Sequence, residues 1–98
     1  MNTLITVSRR HITKGIANSP EECPIALAIK PKLKRAYVPN VIGHTVELES
    51  NGEFVFALPL SKTAQKFVQS FDNNERVKPF SFNLRLPKSV LRVQPIKG

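Results

Sequence analysis

Acidic side chains are missing from two long stretches of this 98-residue chain. From Cys23 to Val46 it carries Lys30, Lys32, Lys34 and Arg35 and no Asp or Glu. From Arg76 to Gly98 it carries Arg76, Lys78, Arg85, Lys88, Arg92 and Lys97, again with no acid. The carboxylates, Glu21, Glu22, Glu47, Glu49, Glu53, Asp72 and Glu75, lie elsewhere. Charge segregated in this way makes part of the surface positive, which draws phosphate, an acidic protein face or an anionic surface. Tryptophan is absent and Tyr37 is the only tyrosine, which argues against an aromatic platform for stacking single-stranded bases. The single cysteine, Cys23, excludes an internal disulfide and fits a reducing cytoplasm. The glycines, Gly15, Gly43, Gly52 and Gly98, are scattered, and none belongs to a phosphate-cradling loop. No apolar run approaches the ~20 residues of a membrane span. Met1 to Val7 lacks the basic start of a signal peptide and is not read as one.

What is present is a net charge of +8 and enough apolar residues, 41% with six Phe, for one core of moderate size and one domain. Leu4, Ile5 and Val7 read as a short strand. Ser8 then caps a helix of one to two turns over Arg9 to Lys14, stopped by Gly15. A second helix carries Ile25 to Ile29 and ends before Pro31, with two starts open. Ser19-Pro20-Glu21-Glu22 has the form of a capping box, whereas Pro24 disfavours helix at Cys23 and points to a start there, after a turn. Tyr37 and Val38 begin an extended stretch that Pro39 confines to a strand end or sheet edge.

A hairpin follows. Val46 and Leu48 alternate with Glu47 and Glu49, and Phe54, Phe56 and Leu58 alternate with Val55 and Ala57. A two-residue Asn51-Gly52 loop would place Phe54 and Phe56 on the face of Glu47 and Glu49. A three-residue Ser50-Asn51-Gly52 loop pairs Glu49 with Glu53 and gathers all five large apolar residues on one face. Burial at roughly 1.5–3 kcal/mol for each large side chain favours the second register. Ser61 caps a helix with Ala64, Phe67, Val68 and Phe71 on one stripe. Phe80 to Leu86 is an alternating strand. After Pro87 the chain is basic, with Val90, Leu91 and Val93 available as an edge strand.

The order β-α-α-β-β-β-α-β predicts a two-layer α+β domain, with a largely antiparallel sheet and two to three helices on one face. Residues 1–86 form the expected domain, and 87–98 a basic C-terminal tail or edge strand. The segments His11-Ile12-x-x-Gly15, Cys23-Pro24-Ile25-Ala26-Leu27-Ala28, Leu58-Pro59, Phe71-Asp72 and Pro79-Phe80-x-Phe82-x-Leu84 resemble a group of small uncharacterised phage and prophage proteins. The resemblance spans roughly residues 5–86. It implies a phage or prophage setting and brings no activity with it; small phage proteins of this kind often bind host factors, nucleic acids or defence components.

His11, Cys23 and His44 are the only soft metal ligands, and their spacing matches no zinc site, so no metal and no cofactor are expected. Cys23 with His11 has the residue types of a nucleophile and its base, and a helix start would lower the thiol pKa, but no third orienting group is evident. Glu47 and Glu49 share a strand face without a pocket. No catalytic residues are assigned. The candidate contacts to nucleic acid or phosphate are Arg9, Arg10 and Lys14 on the first helix, Lys32, Lys34 and Arg35 in the connector, and Arg85 on the last strand. They suit backbone binding without base reading.

The expectation is a non-enzymatic, cytoplasmic protein of the host cell whose basic surface engages nucleic acid or a nucleotide. The alternative is an interaction module, such as an anti-CRISPR-like inhibitor, that docks on an acidic face of a host defence or replication protein. No membrane partner is expected. A homodimer through the edge near Tyr37-Val38 or through the tail strand is a third route.

Overall fold

The structure, a computed structural model, describes residues 2–92. Strand β1 (Asn2–Val7) opens the chain, followed by helices α1 (Arg9–Lys14) and α2 (Pro24–Ile29) and a turn of 3-10 helix at Lys30–Lys32. Strands β2 (Tyr37–Ile42), β3 (Thr45–Ser50) and β4 (Glu53–Pro59) form a meander, and α3 (Lys62–Asp72) leads to β5 (Phe80–Arg85). A second 3-10 turn, Lys88–Val90, follows. The fold is α+β, with the predicted order of elements and every strand pair antiparallel.

The sheet is divided in two, where one was expected: β1 pairs with β5, and β2-β3-β4 stand apart. Part of the reason lies at the outer edge of β2. There the Val41 N–H donates to the carbonyl of Pro20 (2.9 Å), so the loop before α2 occupies positions a further strand would need.

Local chemistry explains the helix ends. Ser8 Oγ accepts from the His11 N–H (3.3 Å) while His11 Nδ1 accepts from the Ser8 N–H (3.0 Å), a reciprocal capping box with histidine in the usual Glu/Gln place. Of the two starts open for α2, the chain takes the later. Residues 19–22 form a turn, Cys23 Sγ accepts from the Ala26 N–H (3.4 Å), and Pro24 fills the first helical position, where no N–H is required. Ser61 Oγ caps α3 through the Ala64 N–H (3.2 Å).

The expected hairpin register is corrected. The loop has two residues: Ser50 pairs with Glu53, and both Asn51 (φ 56°) and Gly52 (φ 79°) take the left-handed conformation that a tight hairpin turn uses. The burial argument is satisfied by another device. Glu49 pairs with Phe54 and Leu48 with Phe56, so Val55 is an extra residue, and this bulge resets the alternation. Phe56 and Leu58 thereby pack inward with Val46 and Leu48, while Phe54 is left 61% exposed.

One core joins these parts. Ile5, Val7, Phe82 and Leu84 supply the inner face of the small sheet, and Ile25, Ala26 and Ile29 the buried side of α2. Val46 and Leu48 supply the inner face of the meander. Four stacked rings tie α3 to β5: Phe71–Phe67 (6.1 Å between centroids), Phe67–Phe80 (4.7 Å) and Phe80–Phe82 (5.6 Å). The segment after Leu86 is fastened to the domain as far as Arg92. Val90 is buried in the core, Leu91 bridges Leu33, the Lys34 N–H donates to Val90 O, and the Arg92 N–H donates to Lys32 O (both 2.9 Å). Val93, named as a candidate edge-strand residue, and Lys97 lie outside the described residues.

Candidate functional site

The Leu33–Leu91 bridge decides where the cations gather. It clamps the connector after α2 against the segment after β5, so two basic stretches far apart in sequence meet. Between them lies a cleft of about 280 Å³ lined by Leu27, Lys30, Pro31, Leu33, Lys34, Arg35, Tyr37 and Arg92. Four of these residues are cationic, none is acidic, and Tyr37 is the only aromatic. Pro31 and the buried Leu33 stiffen the wall that carries Lys30 and Lys34. The backbone N–H groups of Lys34 and Arg92 are spent on holding the wall together.

The structure brings Lys34 and Arg35 together with Lys30 and Arg92, the latter two being residues outside the predicted set. Lys32 is exposed on the 3-10 turn, and its side chain is not in the cleft wall, although its carbonyl holds Arg92. Arg9 lies elsewhere. It lines a groove of about 360 Å³ with Phe71, Arg76 and the carboxylate-bearing Glu75, and its Nη1 reaches the Val77 carbonyl at 3.5 Å. That groove shares no residue with the basic cleft. Arg10 and Lys14 are exposed on α1, and Arg85 is exposed at the end of β5 opposite Asn2. The acid-free run after Cys23 announced Lys30. The acid-free run after Arg76 likewise contained Arg92, and the signal for its placement was the apolar pair Val90-Leu91, which has to be buried against something.

Cys23 and His11 are occupied structurally. Cys23 is 5% exposed, and burial pushes its thiol pKa up, with the Asp72 charge adding to the rise against the lowering effect of the Ala26 and Ile25 N–H groups. The lowering expected from a helix start is outweighed, because burial penalises the thiolate more than those dipoles favour it. His11 is held below its ordinary value by burial and by Arg10, and its Nδ1 serves the cap of α1. His44 is exposed beside Gln65, Gln69 and Asp72 along a polar groove. Among the described residues, no three His, Cys, Asp or Glu side chains are grouped to hold a metal ion, and no helix is long and apolar enough to cross a membrane.

The chain matches no protein-family model, no curated protein and no solved structure.

Proposed function

We propose that this is a non-enzymatic binding protein of the cytoplasm, in a phage or prophage setting, whose basic cleft holds the phosphates of a nucleic acid or nucleotide. The observation that carries this reading is the cleft itself, with Lys30, Lys34, Arg35 and Arg92 drawn from two chain segments, Tyr37 beside them and no carboxylate in the wall. Cations placed this way displace counterions from phosphates, an attraction that depends on backbone charge and not on base identity. Tyr37 adds an aromatic surface for one base or sugar; a lone ring does not make a sequence-reading platform. The structural employment of Cys23 and His11 supports a role without covalent chemistry.

The test is binding of the purified protein to single-stranded DNA, duplex DNA, RNA and free nucleotides across a salt series. The native protein binds in the micromolar range or tighter at low salt and loses affinity steeply as salt rises. Lys34→Glu with Arg35→Glu abolishes binding, while Arg10→Glu with Lys14→Glu on α1 leaves most of it. No binding at low salt to any of these ligands refutes the phosphate reading. Docking of the same cations on an acidic face of a host defence or replication protein then takes its place, to be sought by co-purification from host extract.

A further inference from the structure

The wall of the basic cleft is not made of charge alone. Half of it is apolar: Leu27 and Tyr37 are half-buried, Leu33 is buried, and Pro31 is exposed beside them. The Tyr37 N–H donates to the Lys34 carbonyl (3.0 Å), closing a turn that sets the ring on one wall with Lys34 and Arg35. The volume of about 280 Å³ lies just under the ordinary range of small-ligand sites, about 300–1,000 Å³. It is room for a single base with its sugar and not for a stacked pair of them. The groove at Arg9 also joins cations to a ring, Phe71, but there Glu75 stands among them.

We infer that this cleft seats one unpaired base against Tyr37 while Lys30, Lys34, Arg35 and Arg92 hold the phosphates around it, so that its ligand is a single strand and not a duplex. The inference rests on the phosphate reading of the cleft and narrows it. The apolar half of the wall selects an unpaired base. A duplex turns its phosphates outward and keeps its base faces stacked inside, so it would set charged backbone against Leu27, Leu33 and Tyr37. Taking a base out of the stack costs a few kcal/mol, a cost that a single strand escapes. The number of cations selects a strand over a free mononucleotide: one nucleotide brings one phosphate group, and four cations call for its neighbours as well. The lone ring limits the site to one base, and every base has a face that stacks, so binding is indifferent to sequence. Charge alone gives the opposite order. Duplex DNA carries one charge per about 1.7 Å of axis against one per about 3.4 Å along a strand, and each contact on it releases more counterion. A surface that reads only phosphate therefore favours the duplex, and the ring with its apolar wall reverses that preference.

The experiment measures binding of the whole chain at low salt, by fluorescence anisotropy, to labelled oligomers about sixteen nucleotides long, the upper end of ordinary single-strand sites. The ligands are a mixed-sequence strand that does not pair with itself, its duplex, and an abasic strand of the same length and charge; a free nucleoside monophosphate is tested as a competitor. Tyr37 emission is a second readout, because the chain has no Trp and no other Tyr. The base-bearing strand binds tightest and changes the Tyr37 emission. The abasic strand binds about 5- to 150-fold more weakly, the span of one base–aromatic stack, and leaves the emission unchanged. The duplex and the monophosphate also bind more weakly than the strand. Tyr37→Phe keeps the preference for bases over the abasic strand, and Tyr37→Leu loses it. Tyr37 packs against the core, so should Tyr37→Leu fail to fold, the abasic comparison on the native chain decides alone. An abasic strand, a duplex or a monophosphate bound as tightly as the base-bearing strand overturns the inference and leaves the phosphate reading standing. Absence of all binding at low salt removes the phosphate reading itself, and the inference with it.

Discussion

Gly15 ends α1 and meets Pro24 at the start of α2, and the fit leaves no room for a side chain. A Cβ at residue 15 would lie 2.6 Å from both Cδ and Cγ of Pro24 and 2.9 Å from its nitrogen, where ordinary contact begins near 3.4 Å. The backbone at Gly15 is extended (φ −69°, ψ 151°), so alanine carries no conformational penalty there. Its narrower unfolded ensemble would by itself stabilise the fold by about 0.4–1 kcal/mol. The whole cost of Gly15→Ala is therefore steric. Pro24 cannot retreat alone, because its ring is rigid and Pro24, Ile25, Ala26, Ala28 and Ile29 of α2 are all buried. Overpacking of this kind costs about 1–3 kcal/mol, and with three Pro24 atoms, its backbone nitrogen among them, inside 3.0 Å the cost falls in the upper half of that range, which leaves a net loss of roughly 1–2.5 kcal/mol. For a domain of this size that lowers Tm by roughly 5–15 °C. Differential scanning calorimetry of the native chain, Gly15→Ala, Pro24→Ala and the double variant measures it. The cost of Gly15→Ala should shrink in the Pro24→Ala background, since the ring it strikes is gone. A Gly15→Ala protein as stable as the native chain, or more stable, refutes the close approach of α1 to α2.

Three further outcomes follow from the structure. His11 is depressed below its ordinary 6.5 in the folded chain, so the unfolded chain takes up its proton first. Its contribution is complete above about pH 6.5 and is lost as pH falls through the folded value; His11→Gln keeps a capping partner, and melts from pH 8 to pH 5 should show a shallower acid loss for that variant. Cys23 should react with a thiol reagent at neutral pH far more slowly in the folded protein than in denaturant, since its thiol is buried and its pKa raised; labelling at the unfolded rate would contradict the N-cap position. Leu48 has no exposed surface, so Leu48→Ala should cost about 2–5 kcal/mol in urea unfolding, against less than about 1 kcal/mol for the outward Thr6→Ala on β1.

Elements governed by local chemistry were legible in the sequence. Ser8 and Gly15 bounded α1, Ser61 and the Ala64-Phe67-Val68-Phe71 stripe marked α3, and alternation marked β3 and β5. The hairpin shows where such reasoning meets its limit. Turn chemistry at Asn51-Gly52 and burial of Phe56 and Leu58 each asked for a different loop, and the chain satisfied both with a bulge at Val55, at the expense of Phe54. A bulge leaves no composition signature, so weighing loop lengths alone missed it. The division into two sheets was hidden because it rests partly on the long-range contact from Val41 to Pro20. The site followed the same pattern. Acid-free runs flagged the cations, but charge along a chain carries no information on which of them share a wall. That was set by Leu33 and Leu91, apolar residues with no part in ligand chemistry.

The most direct measurement of the central claim is the salt slope of nucleic-acid binding. If Lys30, Lys34, Arg35 and Arg92 each neutralise one phosphate, log K falls against log salt with a slope of about −3.6 on duplex DNA or about −2.8 on a single strand. Replacing Arg92 by Ala should reduce that slope by about the share of one contact, whichever substrate binds, and Arg85→Ala should leave it unchanged. A slope indifferent to Arg92 and Lys34, or one that responds equally to Arg85 and Arg10, contradicts the cleft as the binding surface.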